Sequence, residues 1–200
     1  MRKLNNHGFT IIELLIAMVS FSLILLIITG AIIQFSSVYY KGVVTSKTQE
    51  TARAVADNIA RSAQFSSELP TEVFPSPTVH NNYGMVCIGS KRYNYTLNKL
   101  LVDEVNHVLT ADAQAGCTPY DGHTGTPANA TELLGEKMQL LRLRVEQAGD
   151  GIITVKVTVA YGNDVVINPT DRSKSTCPGI SLGGQFCAIS NVETTVTKRL

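Results

Sequence analysis

The residue with the plainest chemical consequence in this chain is Glu13. It is the one charged side chain among the 27 residues 9–35, of which 20 are hydrophobic. A carboxylate in an apolar span costs about 2.5–3.5 kcal/mol on insertion scales, so its presence points to function. No Lys or Arg stands at helical spacing on either side, which predicts a partner from elsewhere. The second reactive set is Cys87, Cys117, Cys177 and Cys187, all beyond the apolar run. Four cysteines allow three pairings. The preferred pairs are Cys177–Cys187, closing a short Pro- and Gly-containing loop, and Cys87–Cys117, tying down a long one. Each bridge is worth about 2–4 kcal/mol. Zinc is the competing use, but the spacings contain no CxxC or HxxxH. The histidines His7, His80, His107 and His123 fall in no nucleophile or metal motif, and GxSxG, HExxH, P-loop and GxGxxG strings do not occur. The expectation is a protein with no catalytic residues, no metal and no cofactor. Asn94-Tyr95-Thr96 and Asn129-Ala130-Thr131 match an N-glycosylation pattern that is common by chance.

These residues need elements to carry them. The charge balance is 17 Lys+Arg against 16 Asp+Glu, a net of +1, and only 16% of residues are charged. That balance excludes a nucleic-acid binder driven by bulk basicity, and Lys91-Arg92 is only a doublet. Residues 9–35 are long enough, at about 1.5 Å per residue, to cross a ~30 Å hydrocarbon core. They run about twice as long as the apolar core of a cleaved secretory signal. Arg2 and Lys3 precede them, so the positive-inside rule puts residues 1–8 in the cytoplasm and the rest outside, where disulfides are permitted. Beyond residue 35 the pattern stays helical. Ala52, Val55, Ala56, Ile59 and Ala63 make a narrow apolar stripe, and Glu50, Arg53, Asp57 and Arg61 a charge ladder on other faces. The helix is predicted to end near 64–67, ahead of Pro70, Pro75 and Pro77. Residues 66–80 read as a connection, 85–88 and 92–97 as short strands, and 111–131 as an irregular loop. The clearest strands are 138–147, with Leu141, Leu143 and Val145 on one face, and 152–161, with Ile153, Val155, Val157, Val159 and Tyr161 on one face. Residues 186–189 and 192–197 read as two final strands.

The string Gly8-Phe9-Thr10-Ile11-Ile12-Glu13-Leu14-Leu15, behind a short basic leader and opening an apolar helix, resembles the type IV prepilin signal. The resemblance is specific from residue 2 to about 35. It implies cleavage between Gly8 and Phe9 by a membrane aspartyl prepilin peptidase, methylation of the new N-terminal Phe9, and Glu13 as the fifth mature residue. It further implies that Glu13 meets the N-terminal amine of a neighbouring subunit and keys filament register. The alternative is that Glu13 meets the amine of its own helix. Loss of residues 1–8, with Arg2 and Lys3, would leave 192 residues with net charge −1. The implied fold is α+β: a long N-terminal helix packed on an antiparallel head. The organisation is 1–8 leader, 9–35 membrane-spanning or filament-core helix, 36–66 amphipathic continuation and 67–200 extracytoplasmic head. The implied function is a minor pilin, or a type II secretion pseudopilin or competence-pilus subunit. Its partners would be other pilin subunits, the prepilin peptidase, the assembly machinery and the bilayer, and the chain carries no strong nucleic-acid signal. It would sit in the inner membrane before assembly and in an extracellular pilus after it. The reading from a different class is a membrane-anchored binding module or enzyme with an uncleaved anchor.

Overall fold

The computed structural model of this chain describes residues 10–73, 82–102, 107–113, 130–149, 151–163, 165–167, 171–179 and 184–199. The fold is α+β. Helix α1 covers Ile11–Gln64, and the chain divides into two units, Met1–Tyr39 and Tyr40–Leu200.

In the first unit, α1 leaves its apolar side chains exposed on all sides, from Ile11 to Tyr39. A helix apolar all round is suited to a lipid or protein surround. Its hydroxyls are turned back on its own carbonyls: Ser20 donates to Ala17 (3.0 Å), Ser22 to Met18 (2.8 Å), Thr29 to Leu25 (2.8 Å) and Ser37 to Ile33 (3.1 Å). Each of these four hydroxyls is thereby satisfied without water, as a hydrocarbon surround requires. The helix is long and apolar enough to cross a membrane.

In the second unit, α1 buries Val44, Thr48, Ala52, Val55, Ala56, Ile59, Ala60 and Ala63. Steps of three and four put these on one face, and the small Ala residues let the helix approach closely. The ladder residues Glu50, Arg53, Asp57 and Arg61 stay exposed, and no ion pair among the described residues joins them.

The stripe packs on two antiparallel sheets. The first has order β1-β2-β3-β4-β5: Thr71–Val73, Tyr83–Ile88, Lys91–Thr96, Leu109–Ala113 and Thr131–Glu132. The second has order β6-β7-β8: Met138–Ala148, Ile152–Tyr161 and Ala188–Thr197. Bridges Leu97↔Leu140 and Leu100↔Gln139 join the sheets at one end of β6. Glu72 joins them further along, accepting the Val145 backbone N–H and a 3.4 Å bond from Arg144. Ile59, Val86, Tyr93, Leu109, Leu140 and Val155 share the resulting core. The Tyr93 hydroxyl reaches the helix, bonding Asn58 Oδ1 (2.9 Å) and Ser62 Oγ (2.7 Å). Burial pushes its titration up, with the Ser62 bond opposing. The helix closes on the far end of the chain, where the Arg199 N–H donates to the Gln64 carbonyl at 3.0 Å.

Several expectations need correction. The single sheet is two. Thr71–Val73 is a strand inside the 66–80 connection. The 111–131 loop is shorter at both ends, since Ala111–Ala113 belong to β4 and Thr131 to β5; residues 114–129 lie outside the described set. The strand pattern in β6 changes phase at a bulge between Leu140 and Arg142. Met138 and Leu140 face the core before it, Leu143 and Val145 after it, so Leu141 leaves the assigned face. The two final strands are one, β8, and Phe186 belongs instead to a 3-10 turn, Gly184–Phe186.

Candidate assembly segment and disulfide loop

Glu13 stands in the first turn of α1, and its carboxylate is engaged locally. Its Oε2 accepts the Thr10 backbone N–H at 2.9 Å and the Thr10 hydroxyl at 2.9 Å, while the Glu13 N–H donates to Thr10 Oγ1 at 3.3 Å. This is a reciprocal capping box, Thr10 at N-cap and Glu13 at N3, which satisfies two otherwise orphan donors of the helix start. The partner of Glu13 is therefore a pair of neutral donors on its own helix start rather than a cation from elsewhere. Thr10, three residues back, was the missed signal. Gly8 and Phe9 lie outside the described residues.

The second cluster lies where the head begins. Cys177 and Cys187 form a disulfide with Cα atoms 5.6 Å apart. Cys87 is also disulfide-bonded; Cys117 lies outside the described residues. The Cys177–Cys187 loop is clamped to α1 by Lys41. Its Nζ donates to the Gly184 carbonyl at 3.0 Å and to the Cys187 carbonyl. Beside it, the rings of Tyr40 and Phe186 lie 6.2 Å apart, tilted at 50°. Both remain about half exposed, Phe186 at 51% and Tyr40 at 52%. Gly184 sits against the Pro178 and Gly179 carbonyls, where a Cβ would not fit.

Two further polar constellations escaped the sequence reading. Arg92 and Asp112 face each other across β3 and β4 and form a bidentate ion pair, with residue exposures of 4% and 8%. Half of the basic doublet is thereby committed to the interior. The Glu132 carboxylate accepts four backbone N–H groups, from Val108 (2.8 Å), Leu109 (3.0 Å), Leu133 (3.2 Å) and Leu134 (3.1 Å), with His107 Nδ1 at 3.5 Å from Oε2. It is an anion nest filled by the protein's own side chain. No local motif marks either pair, because tertiary folding creates both.

Other candidates disperse. Asn94 of the first glycosylation pattern is buried, and Asn129 lies outside the described residues, as do His7, His80 and His123. Among the described residues no group of three His, Cys, Asp or Glu could hold a metal ion. An open groove of about 830 Å³ separates the end of α1 from the β2–β3 turn, lined by Asn58, Arg61, Ser62, Phe65 and Lys91 among others. No family model, curated protein or solved structure matches this chain.

Proposed function

We propose that this chain is a structural filament subunit of the type IV pilin class, most like a minor pilin or a type II secretion pseudopilin. The observation that carries this reading is the Gly8-to-Glu13 string ahead of a helix with two different surfaces. The helix is apolar all round through residue 39 and carries a single buried stripe from residue 44 to 63. A prepilin peptidase cuts between Gly8 and Phe9 and methylates Phe9. Gly8 suits that cut because it leaves the backbone open to close approach. The apolar helix resides in the bilayer before assembly and among neighbouring helices afterwards. The cationic N-terminal amine of one subunit then lies near Glu13 of the next, so that each compensates the desolvation of the other.

The deciding experiment is mass spectrometry of the mature N-terminus. N-methylphenylalanine at Phe9 is the expected result. An intact Met1, or a cut near residue 35, rejects the proposal in favour of an uncleaved anchor or a secreted protein.

A further inference from the structure

We propose that the open edge of strand β8 pairs with the same strand of a second copy of this chain, antiparallel and in one register. The two three-stranded sheets would then join into one of six strands. The inference is independent of the filament reading.

A sheet edge presents unpaired N–H and C=O groups, and proteins protect such edges by keeping them short, covering them or charging them. Three of the four edges here follow that rule. Strand β1 has three residues and β5 has two. The edge of β6 is met by Leu97 and Leu100 at one end, and the Glu72 carboxylate takes the Val145 N–H further along. Strand β8 has ten residues, pairs with β7 over all ten without a bulge, and meets no further strand among the described residues. It contains no Pro, Lys or Arg, and Glu193 is its one charge.

The open part of this edge is residues 191–197. Ala188 and Ser190 are buried. Beyond them Asn191, Glu193, Thr195 and Thr197 are exposed, and Val192, Thr194 and Val196 are half-buried. Five of these seven residues are β-branched, the type that fits a pleated surface best. Val192 and Val196 pack on the core from positions opposite Val157 and Ile153 of β7. The core face therefore runs out to the edge and stops there.

A second copy fits this stretch because the stretch is complementary to itself. A two-fold axis makes the same patch serve both subunits, and residues opposite one another must share a face of the sheet. Centring the axis on Thr194 uses all seven open residues. Thr194 then faces Thr194 of the second copy, and Val192 faces Val196, both on the core side. On the outer side Glu193 faces Thr195, and Asn191 faces Thr197. Such Thr–Thr pairs are favourable, and no like charges meet. Centring on Glu193 would set two carboxylates face to face, and centring on Val192 would draw the buried Ala188 and Ser190 into the seam.

The test is cysteine trapping in the full-length chain in detergent, where oxidation captures even a weak pair. Opposed residues in antiparallel strands have Cα atoms about 4.5 or 5.5 Å apart, within the span of a disulfide, and the two spacings alternate along the strand. Diagonal neighbours, at about 7–8 Å, are too far. Thr194→Cys is expected to give a disulfide-linked dimer that the parent does not form. Glu193→Cys and Thr195→Cys should each stay unlinked alone and link to one another when tagged and untagged chains are mixed. Association through the apolar helix would bring copies together without this register. Linking by every variant alone, or by none, overturns the proposal; a chain that stays monomeric leaves the edge to a strand of another protein. Charge gives a second readout. Thr195→Lys and Thr195→Glu both lose the 3.3 Å contact of Thr195 with Thr154, but they set opposite charges against Glu193 of the second copy. Sedimentation should show Thr195→Lys tightening the dimer and Thr195→Glu weakening it, each by roughly 2- to 30-fold in Kd for two such pairs. Equal affinities for the two variants overturn the register.

Discussion

Glu13 carries two separable properties, hydrogen-bond acceptance and charge. Its bonds with Thr10 need only an acceptor oxygen. A neighbour's amine needs the negative charge. Glu13→Gln keeps an acceptor at the helix start and removes the charge; Glu13→Leu removes both. If Glu13 keys filament register, both variants are cut after Gly8 but fail to enter sheared filaments. If its role is only to cap the helix, Glu13→Gln assembles like the parent and Glu13→Leu is the impaired one. Loss of an N-terminal cap is worth about 0.5–2 kcal/mol. Immunoblots of sheared filaments against membrane fractions give the comparison. Thr10 was readable in the sequence, since a Thr three residues before a Glu at the start of an apolar run is a capping signature.

At the level of elements, legibility followed periodicity. The stripe Ala52, Val55, Ala56, Ile59 and Ala63 and the strand Ile152–Tyr161 were readable because one face is buried and the other is not. Strand β6 defeated the same logic at one point. Leu140 and Leu141 are both buried, and the bulge between Leu140 and Arg142 lets the pattern change phase without any break in hydrophobicity. The Arg92–Asp112 pair was illegible because its partners come from segments 20 residues apart, and the Glu132 nest because two of its four donors, Val108 and Leu109, come from a distant segment. The outer face of the second sheet makes an element-scale prediction. Lys156, on the central strand, bonds Glu146 at 2.7 Å and lies 3.9 Å from Glu193, spanning all three strands. The Lys156 hydrogen bond holds the Glu146 carboxyl below its ordinary value, with burial opposing. Its folded titration is therefore depressed relative to the unfolded chain. The stability it lends is present above the unfolded carboxylate value and lost as pH falls through the folded one. The pair is exposed, so the effect is small. Urea midpoints of the full chain in detergent, taken from neutral pH into the acid range, should fall less steeply for Lys156→Met than for the parent. Identical slopes would remove the pair from the acid response.

Across the whole molecule, one chain carries two solutions to burying apolar surface. The first unit leaves it open for a surround that is not itself; the second encloses it between a helix stripe and two sheets. The sequence divides them where Ser, Tyr and Lys replace the unbroken apolar run. The closure of the second unit depends on its last residues. Arg199 donates to Gln64, and Lys198 Nζ bonds the Ser67 carbonyl at 2.7 Å. Truncation after Thr197 removes both bonds, together with that of the Lys198 N–H to the Gly151 carbonyl, and should destabilise the head by about 1 kcal/mol for each. Urea denaturation checks this, with an unshifted midpoint assigning the closure no weight.

The meeting of Arg199 with Gln64 also sets an order of events. A chain threaded through a membrane delivers its helix first and β8 last. Until β8 arrives, β7 has an unpaired edge, the helix end lacks its final donor and Cys177 has no Cys187 to join. Contacts between segments so far apart in sequence form slowly, because loop closure must precede the gain. Under the proposed topology the head therefore reaches the outer compartment as an open chain with exposed strand edges. It becomes a finished body only after its last strand has crossed, which makes the interval between translocation and closure the period when it is most exposed to aggregation and proteolysis.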